Sequence, residues 1–322
     1  MLKSDKEKNL QEVTLIRAFA IITLVAWHCY CSYICWGIAD TPFNGLYSKV
    51  FRVIAPIAQM PLFTFLAGYL FCYLHKYCNK YSDFKLFIKN KARRLLIPYI
   101  VLGFIINMTQ LTRQHPIDLF WGTPNHLWYC LMLFYCFIIN WIVENKIGRW
   151  LNYVLASVSF AAAIYYGGQF LDKSPLGILI PVFYYCYFFL GYYVYENKDR
   201  IMVLLLKWLP LVIVLWLLSL IFTVRGHAQV ITSVLFILMV LFFAQKIQSI
   251  PSCIETIAKY SFGIYVFHQW FIWNITHYEP MSGIINEHYV LFPILLFVVI
   301  FGVSLGLTHL ALKTKIGKIL LA

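Results

Sequence analysis

Charge is scarce in this chain. Only 12% of its 322 residues are Asp, Glu, Lys or Arg, about half the share of an ordinary soluble domain, and a soluble core cannot absorb the accompanying 61% of hydrophobic residues. Carboxylates are scarcest. All thirteen, Asp5, Glu7, Glu12, Asp40, Asp83, Asp118, Glu144, Asp172, Glu196, Asp199, Glu255, Glu279 and Glu287, fall in expected loops or at helix ends. A proton- or sodium-coupled transporter usually holds an acid near the middle of the membrane, so that class loses support, while a channel or facilitated exporter does not. The nine cysteines, at 29, 31, 35, 72, 78, 130, 136, 186 and 253, show neither a disulfide framework nor zinc spacing. Cys29, Cys31 and Cys35 beside His28 read as small apolar filler, and no metal is expected. Pro/Ser-rich linkers, low-complexity tracts and internal repeats are lacking, so one bundle over 1–322 is expected. No cleavable signal is evident, because Ala18 and Ala20 precede the first apolar run where a cleavage site would follow it.

Long apolar runs are what the sequence has. Stretches of roughly 18 to 25 residues recur, each able to cross a hydrocarbon core about 30 Å thick. They are placed at 12–34, 50–74, 95–113, 125–143, 150–167, 177–195, 208–224, 229–245, 261–278 and 290–312. Backbone groups in lipid must pair internally, which leaves helices or closed barrels, and runs without strict alternation exclude the barrel. The expected fold is all-α, a polytopic membrane bundle of about ten helices in the cytoplasmic (inner) cell membrane. The net charge of +13 invites a nucleic-acid reading, but the basic residues alternate with the spans. With a cytoplasmic N-terminus, 21 of the 26 fall inside, and only Lys49, Arg52, Arg113, Lys173 and Arg225 fall outside. That bias places both termini in the cytoplasm and makes basicity a report of topology, with no nucleic-acid partner needed. The longest inner loop, 75–94, carries Lys76, Lys80, Lys85, Lys89, Lys91, Arg93 and Arg94 against the single acid Asp83. Gly302 and Gly306 have the spacing at which helices approach closely.

Titratable groups at membrane depth are costly and mark function by default. His28 lies inside the first span and His268 inside the ninth, with His126 at the outer mouth of the fourth. Arg17 shares the first helix with His28. Eleven residues at about 100° each come within about 20° of three full turns, so the two side chains share a face, roughly 16 Å apart along the axis. That is comparable to the reach of a pantetheine arm. A guanidinium near the inner boundary suits a bidentate grip on phosphate, or else simply snorkels. A neutral imidazole suits a general base, or else a hydrogen bond between helices.

These residues resemble those of the membrane-bound acyltransferase 3 family. TLIRAFAIITLVAWHCY is similar to its Arg, ten residues, His pattern through Arg17 and His28. PLFTFLAGYLF resembles its phenylalanine-rich segment ending in Ser-Gly, with Gly68 matching and Ala67 in place of the serine. KNKARRLLIPYI is similar to its basic run before an aliphatic pair and proline, at Arg93, Arg94 and Pro98. HLWYCLMLFY resembles its His-Leu-Trp-Tyr signature from His126, and KYSFGIYVFHQW its Ser-x-Gly-x-Tyr-x-x-His segment at Ser261, Gly263, Tyr265 and His268. The resemblance implies an O-acyltransferase that takes an acetyl or other short acyl group from cytoplasmic acyl-CoA to a hydroxyl of an extracytoplasmic glycan. Arg17, Arg93, Arg94 and Lys91 would hold the nucleotide of the acetyl-CoA donor. His28 would act as general base or transient acyl acceptor, with His126, His268, Tyr265 or Ser261 donating to the oxyanion. No carboxylate stands at helical spacing beside His28, so another helix must orient it, with His268 a candidate. Trp27 and Trp128 are candidates for a sugar platform. Some family members carry a fused extracytoplasmic hydrolase-like domain; this chain has no room for one, so it is expected to act alone or with a separate partner. The rival readings are an exporter of a glycan or lipid-linked intermediate, and a structural membrane partner of a polysaccharide machine.

Overall fold

Helix is the only regular secondary structure among the described residues, as hydrocarbon surroundings demand of so apolar a chain. The computed structural model describes residues 10–50, 59–110, 125–166, 174–224 and 229–321. Lys3, Lys6, Lys8, Arg52, Arg113, Lys173, Arg225, Asp5, Glu7, Asp118, Asp172 and the early part of the second expected span lie outside them. The helices are α1 (Gln11–Ile34), α2 (Met60–Cys72), α3 (Phe84–Thr109), α4 (Trp128–Ile142), α5 (Trp150–Tyr166), α6 (Pro181–Glu196), α7 (Lys198–Val224), α8 (Gln229–Lys246) and α9 (Ser252–Thr276), followed by α10 (Ser282–Glu287), α11 (Leu291–Ala311) and α12 (Lys315–Leu321). Seven stretches among the described residues are long and apolar enough to cross a membrane: α1, α3, α4, α6, α7, α8 and α11, some with short extensions. Of the other helices placed as spans, α2 and α5 are shorter, at 13 and 17 residues, and α9 carries Glu255, Lys259, His268, Gln269 and Asn274 along its 25 residues.

Several helices start earlier than their apolar runs. Residues 84–94, expected in a loop, are helical. The Asp83 side chain caps them by accepting from the Leu86 N–H at 2.7 Å, one of the donors a helix start leaves over. Likewise α7 begins at Lys198 and α9 at Ser252, where apolarity predicts 208 and 261. A hydropathy window sees only the stretch that avoids charge, whereas the helix continues into the interface on the stems of Lys and Arg.

Ion pairs show which helix ends lie together. Lys198 at the start of α7 meets Glu12 at the start of α1 at 2.6 Å, and Lys76 beyond α2 meets Glu196 at the end of α6 at 2.5 Å and Glu144 beyond α4 at 3.6 Å. Arg149 before α5 also pairs with Glu196. This is the basic end. Three π-helical stretches, Tyr73–Tyr77, Ala92–Leu96 and Val143–Ile147, follow α2, lie within α3 and follow α4 there. At the far end Tyr33 donates to Ile285 O at 2.9 Å and Tyr47 to Tyr289 O at 3.2 Å, tying the segment after α1 to the one after α9.

The tightest crossing is between α2 and α6. A Cβ on Gly68 would overlap the Phe188 carbonyl, and one on Gly191 the Phe65 carbonyl, so only glycine lets these backbones meet. The close packing expected at Gly302 and Gly306 is not found: a Cβ added at either meets nothing within 4 Å. On α6 67% of the membrane-length window is buried, against 6% on α7, which puts α6 at the centre and α7 on the rim. Helix α1 packs on α9 and α11, and that contact positions the site.

Candidate active site

Helix α1 presents His28 toward α9, which presents His268. The two ring centroids stand 4.9 Å apart, and His268 Nε2 lies 3.1 Å from His28 Nδ1. Hydrogen-bond chemistry assigns the protons. His268 Nδ1 faces the backbone carbonyls of Ile264 at 3.0 Å and Tyr265 at 2.7 Å. Carbonyls only accept, so this nitrogen carries the proton and the neutral ring keeps its lone pair on Nε2. His28 Nδ1 faces the Leu24 carbonyl at 3.0 Å as well as that lone pair, so Nδ1 of His28 donates to both. The second nitrogen of His28, Nε2, is left unprotonated, with no hydrogen bond among the described residues, on a ring that is partly exposed. His268 is fully buried. The pair therefore holds one tautomer of His28 without a carboxylate, the task for which many enzymes use an aspartate.

His126 completes a cluster of three imidazoles. Its ring centroid lies 5.3 Å from that of His268, and its Nε2 donates to Val266 O at 3.1 Å. Its Nδ1 is then a lone-pair acceptor, buried and without a hydrogen-bond partner among the described residues. The Tyr265 hydroxyl donates to the His126 carbonyl, pinning the start of α4 to α9. In this arrangement the protons of Tyr265, His126 and His268 are all given to backbone carbonyls. Ser261 is buried two turns nearer the basic end, about 10 Å along α9 from His268, apart from the imidazoles.

At the other end of the α1 stripe, Arg17 lies within electrostatic range of Arg94 and of Tyr129. No carboxylate pairs with Arg17, Arg93 or Arg94 among the described residues, whereas Lys76, Arg149 and Lys198 are all paired. A guanidinium without a carboxylate partner is suited to a bidentate grip on phosphate or carboxylate oxygens. Arg93 and Arg94 are both exposed, and Arg94 is the one within electrostatic range of Arg17. Lys91 is buried against rings, its Nζ 3.4 Å from the Phe137 centroid and 4.9 Å from that of Tyr81, a cation–π arrangement. Tyr129 stands between the two ends: it is within electrostatic range of Arg17, and its ring is 6.0 Å from that of Tyr265, which in turn touches His126.

Sequence reasoning missed the indole beside His28. Trp36 lies 6.5 Å from His28 between centroids and 5.0 Å from Trp273, which stacks on His277 at 3.9 Å. Trp128 instead packs on Tyr184 at 5.2 Å and on Tyr129. Trp273 and His277 are four residues apart on α9, the interval that stacks neighbours on one helix face, and that interval could have pointed to them. Trp36 sits beyond the end of α1, in a turn that helix periodicity does not reach. No His/Cys/Asp/Glu group suited to a metal occurs among the described residues.

No curated protein and no solved structure matches the chain. A family model described as an acyltransferase domain, that of acyltransferase 3, matches residues 10–309, a stretch that contains the three imidazoles and the arginine pair, and the chain belongs to that family of membrane acyltransferases.

Proposed function

We propose that this protein is an O-acyltransferase that carries an acetyl or other short acyl group from acyl-CoA on the cytoplasmic side to a hydroxyl of an extracytoplasmic glycan. The observation that carries the reading is the oriented His28–His268 pair, with the unprotonated Nε2 of His28 on the same helix face as an arginine that pairs with no carboxylate among the described residues. On this reading α2, α5 and α9 join the seven apolar stretches as spans, giving about ten, with the basic end and both termini in the cytoplasm. The chain resides in the cytoplasmic membrane, alone or beside a separate extracytoplasmic partner that finishes delivery.

Each group then has a task. Arg17 and Arg94, joined by Arg93 and the exposed lysines nearby, grip the anionic nucleotide. The pantetheine arm runs along the α1 stripe over the roughly 16 Å from Arg17 to His28. His28 Nε2 takes the proton of the acceptor hydroxyl as its oxygen attacks the thioester carbonyl. Positive charge on the ring is met by His268 Nε2 and Leu24 O at Nδ1. The tetrahedral adduct collapses with loss of the CoA thiolate, which receives the proton from His28, so that alcohol and thioester give ester and thiol. The alternative order, acyl transfer first to His28 Nε2 and then to the hydroxyl, uses the same free nitrogen.

The test is release of free thiol from acetyl-CoA by the purified full-length protein in lipid nanodiscs, in the presence of surface polysaccharide from cells lacking the chain. Thiol release with ester appearing on the polysaccharide is the expected result. An exporter would move glycan with no thiol released, and that outcome would overturn the reading.

A further inference from the structure

Beyond the three imidazoles, the far end of α9 carries a run of residues at every fourth position, Tyr265, Gln269, Trp273 and His277, so that consecutive members lie one above another on the helix. Tyr265 touches His126. Trp273 and His277 meet Trp36 at 5.0 and 6.2 Å, and Trp36 meets His28 at 6.5 Å. The run therefore leads from the imidazole cluster to the far end, walled on the α1 side by Trp36. The turn carrying Trp36 is fixed: its N–H donates to Cys31 O at 2.9 Å, and the N–H groups of Ile38 and Ala39 donate to Ser32 O at 3.2 and 3.1 Å. Gly37 supplies the positive φ, +65°, that reverses the chain there. Trp36, Trp273 and His277 are all partly exposed.

Two buried polar atoms in this stretch have no hydrogen-bond partner among the described residues: Gln269 Oε1, on a residue 9% exposed, and His126 Nδ1, on a residue 6% exposed. Both are acceptors, the second because its ring proton is given to Val266 O. Unpaired buried acceptors are costly until a donor arrives. A ligand rich in O–H donors and presenting an apolar face of ring C–H groups satisfies both features, the acceptors through its hydroxyls and the indoles through its face. A sugar ring has that chemistry, whereas an acyl chain has no hydroxyls to give.

We propose that Trp36, Trp273, Gln269 and His126 Nδ1 form the acceptor subsite, and that it takes one pyranose ring, seated so that a neighbouring hydroxyl points at His28 Nε2. This inference rests on the acyltransferase reading and adds to it the residues that choose the acceptor.

The experiment uses the full-length protein in nanodiscs, acetyl-CoA, and surface polysaccharide from cells lacking the chain, with thiol release followed against polysaccharide concentration. Trp36→Leu and Gln269→Leu are each expected to raise the half-saturating polysaccharide concentration at least tenfold, while the KM for acetyl-CoA moves less than twofold. Trp36→Phe is expected to restore most of the loss, which separates a stacking wall from a packing defect. Size-exclusion profiles of the detergent-extracted variants confirm that they fold. If the wild-type protein releases no thiol, the acyltransferase reading itself fails. If it does, and the polysaccharide gives no saturable stimulation, or both leucine variants saturate at the wild-type concentration, the subsite is overturned. A leucine variant that raises the KM for acetyl-CoA to the same extent also overturns it, because the wall would then belong to the donor.

Discussion

Cations on two sides of the basic end behave differently. On one side Lys76, Arg149 and Lys198 are taken up by Glu144, Glu196 and Glu12. Tyr69 adds a hydrogen bond to Glu12 at 2.8 Å, Asn152 one to Glu144 at 2.7 Å and Tyr192 another to Glu144 at 3.3 Å. On the other side Arg17 lies within electrostatic range of Arg94, and neither pairs with a carboxylate among the described residues. The same economy of acids runs up to the imidazoles, where His268 fills the place an aspartate would take. Among the described residues the paired carboxylates clamp helix ends and none pairs with Arg17 or Arg94; under the proposed function this unpaired charge is where the donor's anion binds and the free imidazole nitrogen is where chemistry occurs. Breaking the unpaired side should damage activity and spare the fold; breaking the paired side should do the reverse.

The largest effect expected is from His28→Ala. The variant should insert and elute as the wild type does, yet lose about 10²- to 10⁴-fold in thiol release, the contribution of a general base. Wild-type transfer by purified His28→Ala protein would remove the imidazole from the mechanism. Arg17→Ala comes next. Charge-assisted hydrogen bonds contribute about 1.5–3 kcal/mol, so the KM for acetyl-CoA should rise about 10- to 100-fold, and Arg17→Lys, which keeps the charge and loses the fork, should recover only part. An unchanged KM for the donor in Arg17→Ala, with reduced stability instead, would make this arginine an interfacial anchor.

His268 sharpens the comparison within the site. If its role is to accept from His28 Nδ1, His268→Ala should lower kcat about tenfold, since the Leu24 carbonyl still holds the ring and loss of an outer partner typically costs 10- to 100-fold at comparable sites. His268→Gln, whose side-chain carbonyl can accept the same proton, should restore much of it. Equal loss in both variants, with no recovery from glutamine, would assign His268 a part that needs an imidazole.

Much of this was legible in the residues. Apolar runs gave the helical class, and the eleven-residue interval gave the shared face of Arg17 and His28. What the sequence could not supply was anything set between helices. That Gly68 and Gly191 make the close crossing, and Gly302 and Gly306 do not, depends on which helices are neighbours. The proton assignments of His28 and His268 depend on carbonyls that helix geometry brings close only after α1 and α9 dock. The lysines of the 75–94 segment looked alike in composition, yet Lys76 is ion-paired, Lys91 is boxed by rings and the segment's second half is helix rather than loop. Positive charge alone does not reveal which lysine has found an acid.

Lys76 provides the smallest and most discriminating effect. Its ammonium is one-third exposed, while the Glu144 side chain it reaches is 7% exposed and that of Glu196 18%. Surface-facing pairs of this kind are worth about 1 kcal/mol or less, but a nearly buried acid left without its partner adds to the cost. Lys76→Met should therefore lower the unfolding temperature in detergent by a few degrees and leave the KM for acetyl-CoA within twofold of wild type, although Lys76 stands in the most basic segment of the chain. Pairing Lys76→Met with Glu196→Gln should cost less than the two losses added, because both variants remove the same Lys76–Glu196 contact. A donor KM that rises in Lys76→Met, with stability unchanged, would place the ammonium on the nucleotide and erase the division between paired and unpaired cations.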